Sequence, residues 1–209
     1  MKSTKIIAGL GVAAALGVAA IPVASFAEGE PQPASSTVNL SATIASDLSL
    51  TIAEGGNSIN FGNALSAGAA STAENATSVI TVTTNWPNGY ELTGKSTGDL
   101  AATGTTDKIA EFATASTISG EGAADGWGAH VAMKQGASFD NTSAFKDLTA
   151  GQYLGFNGAT GRVIDKKAAK SGQVSNDYTV TYGLKAKANQ ASGTYTGTIT
   201  YTATAVSGS

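Results

Sequence analysis

The C-terminal stretch constrains the fold most. Tyr178, Val180, Tyr182, Leu184 and Ala186 alternate with Thr179, Thr181, Gly183, Lys185 and Lys187. Further on, Tyr195, Ile199, Tyr201 and Ala203 share one side of a run whose other side is Thr196, Thr198, Thr200, Thr202 and Thr204. A period of two places one set of side chains against a core and the other in water. Threonine suits the wet side because it is β-branched yet polar. Earlier segments repeat the pattern. Val38, Leu40, Ala42 and Ile44 alternate with polar residues, as do Leu48, Leu50 and Ile52; Ile59 and Phe61 share a face. Val79–Thr84 is β-branched throughout, and Trp127, Ala129, Val131 and Met133 lie on one side of a further strand. Many short strands between Gly-, Asn- and Ser-rich turns predict an all-β fold, an antiparallel sandwich of the immunoglobulin-like or Greek-key type.

The N-terminus sets the compartment. Lys2 and Lys5 precede an apolar run from Ile6 to Val23, and Ser25-Phe26-Ala27 puts small residues where a signal peptidase cuts. Residues 1–27 therefore read as a cleaved secretory signal peptide. The rival, an uncleaved anchor, has a run of marginal length, but its Ala and Gly are weakly apolar, Pro22 interrupts it and no basic stop follows. Cleavage would leave 182 residues with 10 basic and 15 acidic side chains, a net charge of −5 and a single arginine, Arg162. Nucleic-acid binding, which needs clustered cations, is not expected. With no cysteine in the chain, stability must come from the core, supplemented by a Lys–Asn amide crosslink if Lys185 or Lys187 meets an asparagine beside a buried acid.

Residues 28–36, EGEPQPASS, read as a flexible lead-in. Residues 37–209 read as a single sandwich domain. Its stretch around 98–170 is less regular, rich in Gly, Ala, Thr and Asp. That stretch is expected to hold hairpin excursions, with a short helical turn over Asp165–Lys170.

One motif demands a decision. Gly89-Tyr90-Glu91-Leu92-Thr93-Gly94-Lys95-Ser96 satisfies the phosphate-loop pattern. A phosphate loop joins a buried parallel strand to a helix whose backbone amides hold the phosphates. Here Thr97-Gly98-Asp99-Leu100-Ala101-Ala102-Thr103-Gly104 follows, a poor helix former. Pro87-Asn88-Gly89 is a turn signal between two strand-like runs, which predicts a hairpin with Tyr90–Thr93 on its return strand. No nucleotide is expected.

Other chemistry is sparse. His130 is the only histidine and cannot by itself supply a two-histidine metal site or a serine triad in a chain lacking any G-x-S-x-G elbow. Glu121 with Asp125, and Asp140 with Asp147, are carboxylates close in sequence, but their polar, Gly-rich settings read as solvated loops rather than a glycosidase pair. No catalytic, metal or cofactor site is expected, and the chain does not read as an enzyme. Trp86 and Trp127 are candidate contacts for a glycan or protein partner, since each offers a broad apolar ring. The alternative for both is packing or loop anchoring.

Two segments resemble the WxL-domain surface proteins of Gram-positive bacteria. The run from Tyr195 to Ala203, YTGTITYTA, is similar to the distal motif Y-x-x-x-L-T-W-x-L: Tyr195 and Thr200 match, while Ile199, Tyr201 and Ala203 stand for Leu, Trp and Leu. Gly89-Tyr90-Glu91-Leu92 falls where the proximal W-x-L would be, with Tyr90 for Trp and Leu92 matching. The resemblance implies a secreted sandwich held non-covalently at the wall by a cell-wall polymer or other surface proteins. The chain ends in TATAVSGS, without a sorting motif, a hydrophobic tail or a lipid-accepting cysteine. The expected function is therefore a secreted, wall-associated structural or adhesion protein. The alternatives are a self-assembling fibre, pilin or surface-layer subunit joined by strand addition, and a carbohydrate-binding module.

Overall fold

Tyr90 and Leu92 on one strand and Ile80 and Val82 on another are all fully buried, and the architecture follows from how these two strands are placed. The computed structural model describes residues 41–53, 56, 58–61, 71–134, 137–168 and 173–207, with the backbone alone for 71–76. These residues hold no helix and about 47% strand. The strands are β1 (Leu48–Ile52), β2 (Ser71–Thr84), β3 (Tyr90–Ser96), β4 (Leu100–Ala102), β5 (Lys108–Ile109), β6 (Ser116–Thr117), β7 (Gly126–Met133), β8 (Gln152–Tyr153), β9 (Arg162–Lys167), β10 (Val174–Ala186), β11 (Tyr195–Thr196) and β12 (Ile199–Ala205). All lie in the unit Ile44–Ser209. The signal segment, the lead-in and residues 37–40 fall outside the described residues.

One sheet has the order β1-β2-β10-β7, a second β12-β3-β9 and a third β11-β4-β5, with a small β6-β8 pair, every ladder antiparallel. The long ladder between β2 and β10 runs from Ser71↔Ala186 to Thr84↔Val174. The main core lies between the first two sheets: Ile80, Val82, Ala129, Val131, Tyr178, Val180 and Tyr182 meet Tyr90, Leu92 and Ile164. The alternation therefore acts as read, with one set of residues buried in each of β3 and β10. A second cluster, Leu100, Ile109, Trp127, Leu184 and Ala186, continues the core at one end.

Four expectations are corrected. The turn at Pro87-Asn88-Gly89 does not close a hairpin: β2 pairs with β1 and β10, β3 with β12 and β9. Both strands bury an apolar side, so they face each other across the core and the turn crosses from one sheet to the other. The Gly89 amide donates to the Trp86 carbonyl at 3.1 Å. Gly89 has φ +80°, and a Cβ there would overlap the Lys167 carbonyl, so this tight passage needs glycine. Asp165–Lys167 forms the end of β9 rather than a helical turn, because the ladder to β3 claims its backbone. Residues 98–170 also do more than loop out, since they supply β7 and β9 to the two main sheets. Finally, neither Ser41–Ile44 nor 58–61 is a strand. Ile44 is 86% exposed, while Ile59 and Phe61 pack on the core from irregular backbone.

Candidate functional site

The phosphate-loop match is strand β3 along most of its length. Gly94 sits mid-strand because a Cβ there would stand 2.5 Å from Phe156 Cδ1. Lys95 is exposed and pairs in register with Thr200. No helix follows Ser96, whose hydroxyl donates to Glu111 Oε1 at 2.6 Å. Glu111 also accepts the Phe156 amide at 2.6 Å and the Gly158 amide at 3.2 Å. The serine and glycines of the motif thus serve packing and loop anchoring.

The two segments carrying the WxL-like positions are brought together as neighbouring strands. Leu92 lies opposite Ala203, Gly94 opposite Tyr201 and Ser96 opposite Ile199. Tyr90 and Leu92 are fully buried, and Ile199 and Tyr201 are half-buried against the same core. Thr200 is exposed on the outer face. Tyr195, on β11, donates its hydroxyl to the Ala191 carbonyl at 2.8 Å and accepts from Gln190 at 2.7 Å.

The most organised chemistry is a buried polar chain between the sheets. Tyr90 donates to the Tyr178 hydroxyl at 2.6 Å, and Tyr178 donates to Asp165 Oδ2 at 2.7 Å. Lys167 Nζ reaches the same oxygen at 2.8 Å and also donates to the Ser138 carbonyl at 2.5 Å. Asp165 Oδ1 accepts the amides of Asp140 at 2.8 Å and Lys166 at 2.9 Å. Asp165 is fully buried, yet each carboxylate oxygen has two partners, as a buried charge requires. Burial pushes the Tyr90 hydroxyl up to about 12 and moves Tyr178 well above the ordinary phenol range, helped by its bond to Tyr90. A second pair, Tyr182 with Tyr201, shares a 2.7 Å hydrogen bond, and burial likewise raises Tyr201. The Tyr90, Tyr178 and Tyr201 hydroxyls stay protonated at neutral pH, and the two hydrogen-bonded tyrosine pairs tie the two sheets together. Sequence reading missed Asp165 and Lys167. A β-bulge between Leu92 and Thr93 inserts Ile164 as an extra residue, so Ile164 and Asp165 are buried in succession. The available signal was the i, i+2 spacing of Asp165 and Lys167, which strand geometry puts on one side.

The two tryptophans part ways. Trp127 is 3% exposed in the Leu100–Ile109–Leu184–Ala186 cluster, so its ring offers no face to a sugar. Trp86 is half-buried, and its indole N–H donates to the Val206 carbonyl at 2.7 Å. The cavity beside it, about 10 Å³, has room for about one water. It anchors the crossing turn to the C-terminal strand.

His130 Nδ1 lies 3.1 Å from the Gln152 carbonyl. The carboxylates pair with surface groups rather than with each other: Asp125 with Lys185 at 3.3 Å, Asp147 with Lys146 at 3.4 Å. Asp140 accepts the Thr142 amide and hydroxyl, which hold its carboxyl below the usual range. Lys185 also donates to the Ala123 carbonyl at 2.8 Å. A cleft of about 170 Å³ is lined by Lys108, Asp125, Lys185, Lys187 and Gln190 among others. Among the described residues no cluster of His, Asp or Glu could hold a metal ion, and no helix is long and apolar enough to cross a membrane.

Two strand edges complete the picture. The Thr97 amide donates to the Thr198 carbonyl and the Val206 amide to the Gly89 carbonyl. These bonds fix the phase of the β3–β12 ladder. Even-numbered residues of β12 bond to β3; the backbone groups of Ile199, Tyr201, Ala203 and Ala205 point away from it. The Asn85–Asp47 and Ala53–Val79 bonds do the same for β1, turning Leu48, Leu50 and Ile52 outward from β2. β1 and β12 lie side by side. Neither has a second strand partner among the described residues, and neither LSLTI nor ITYTATA contains a charge or a proline.

No protein-family model matches this chain, and neither a curated protein nor a solved structure matches it.

Proposed function

We propose that this protein is a secreted structural or adhesion protein of the cell surface, held non-covalently at the wall. One observation carries the reading. The side chains best equipped for chemistry, Asp165, Lys167, Tyr90 and Tyr178, are spent on joining two sheets, while β12 presents a Thr-rich face and an uncharged edge. The N-terminal sequence, with its signal-peptide pattern, supports export. Cell fractionation tests the reading. Recovery from the wall fraction by salt, without detergent, is the expected result; retention inside the cell would overturn it.

A second reading, a self-assembling fibre or surface-layer subunit, is favoured by the free edge of β12. An unguarded edge is a template for another strand. A glycan-binding role draws less support, since Trp127 is buried and Trp86 is committed to the C-terminal strand.

A further inference from the structure

We propose that the free edge of β12 receives the segment Val38–Ile44 of a second copy, so that copies join head to tail by strand addition. The proposal rests on the surface-structural reading and adds to it the partner and the two surfaces that meet.

The acceptor is defined by what it lacks and what it exposes. Seven residues, Ile199–Ala205, form a strand with no charge and no proline. Their register with β3 runs unbroken from Ile199↔Ser96 to Ala205↔Tyr90. Natural edges are normally blunted by charge, proline, a bulge or a covering loop. The outward-facing backbone groups belong to Ile199, Tyr201, Ala203 and Ala205, whose side chains are only half-buried. On the adjoining β1, Leu48, Leu50 and Ile52 are half-buried too. The two strands form a half-buried apolar seam that no further strand joins among the described residues.

The donor matches in length and pattern. Val38-Asn39-Leu40-Ser41-Ala42-Thr43-Ile44 is also seven residues long, uncharged, and alternates apolar with polar. Laid along β12, Val38, Leu40, Ala42 and Ile44 would cover the seam, and Asn39, Ser41 and Thr43 would continue the threonine face. Ile44 is the exposed large hydrophobic residue of the described body, at 86%. Just after it, Asn85 holds the chain in line with the β1–β2 ladder, donating to the Ala45 carbonyl at 2.8 Å and accepting the Asp47 amide at 2.5 Å. The donor is thus attached to a fixed point, with an apolar residue left in water. Strand addition supplies backbone hydrogen bonds and side-chain pockets in one step. Donor and acceptor are different surfaces, so the contact is heterologous and can propagate from copy to copy.

The chain has no cysteine, which makes a clean test available. Full-length secreted Asn39→Cys, Ser41→Cys and Thr43→Cys proteins are each mixed with a Thr202→Cys protein under mild oxidation. Disulfide-linked mixed dimers from at least one pairing are expected. A double variant that instead forms only an internal disulfide would place the segment on its own body and overturn the proposal. So would the absence of any mixed dimer. Ala203→Pro gives an independent arm. The Ala203 amide points away from β3, so proline there removes a donor for the incoming strand and leaves the β3 ladder whole. Multimers on a sizing column should fall at least tenfold with an unchanged circular dichroism spectrum; undiminished multimers would contradict the proposal. Were that variant unfolded, deletion of 28–44 provides the same readout. Fractionating cells that express these variants separates the two ideas. No mixed dimer from the cysteine variants, with the protein still at the wall, sinks strand addition alone, whereas absence from the surface sinks the broader reading.

Discussion

The two edges of the β12-β3-β9 sheet are finished in opposite ways. β9 carries Arg162, Asp165, Lys166 and Lys167 and a bulge against β3. A loop lies along its outer side: Ala144 donates to the Val163 carbonyl at 3.0 Å, the Asp140 amide to Asp165, and Lys167 reaches back to Ser138. Charge, a bulge, an inward-pointing acid and a covering loop, all devices that prevent edge pairing, are present there. β12, two strands away, has only β3 beside it in its ladder and threonine outside. One side of the sheet spends charged side chains on closure; the other spends none. The difference places the closing contacts on the β9 side and leaves β12 with one strand neighbour, as the strand-addition proposal requires.

The largest expected effect comes from breaking the closed side. Asp165→Ala removes the acceptor for Lys167, Tyr178 and two backbone amides. Losing one partner of a buried pair costs roughly 3–5 kcal/mol, read as a lowered urea midpoint with an unchanged slope. Next is Gly94→Ala on the central strand β3, where the new methyl would press on Phe156. Overpacking of this kind costs about 1–3 kcal/mol, checked by thermal unfolding.

Tyr90→Phe should cost about 1 kcal/mol through the lost Tyr178 bond, and it also alters alkaline behaviour. A phenol whose folded pKa is raised contributes stability that is whole below its unfolded value of about 10. That contribution is lost as pH rises towards its folded value of about 12. The phenylalanine variant should therefore lose part of the stability decline above pH ~10, measured by urea unfolding across pH. Asp140 contributes to the acid limb, and so does Asp177. The Thr81 hydroxyl and the Lys134 ammonium hold its carboxyl below the usual range. Its contribution is whole above the unfolded value, about 4, and fades as pH falls through the folded one; Asp177→Asn should flatten that limb. The smallest change in stability is expected at the open edge, where Ala203→Pro should cost about 1 kcal/mol or less.

The strands on which this contrast stands were legible to different degrees. The alternation Tyr178–Ala186 and the threonine face of β12 could be read directly, because one buried face leaves a period of two. Which strand lies beside which could not. The turn signal at Pro87-Asn88-Gly89 marks a reversal, but the same residues serve a hairpin or a crossing between sheets. The crossing is decided by Tyr90 and Ile80 both needing burial, a tertiary matter. Asp165–Lys170 reads as a short helical turn, because the ladder that makes Asp165–Lys167 a strand is a tertiary matter. The bulge that buries Asp165 depends on where β3 runs. Whether Trp127 packs or meets a ligand was open for a similar reason: a strand-borne ring gives no hint of what covers it until Leu100 and Ile109 are in place.

Amide hydrogen exchange along β12 in the dilute monomer tests the central claim most directly. The account predicts slow exchange at Thr200, Thr202 and Thr204, whose amides bond to β3, and fast exchange at Tyr201, Ala203 and Ala205. Protection should reach the second set only as multimers form. Equal protection of both sets in the monomer would mean that the edge is already covered by its own chain, and the account would fail.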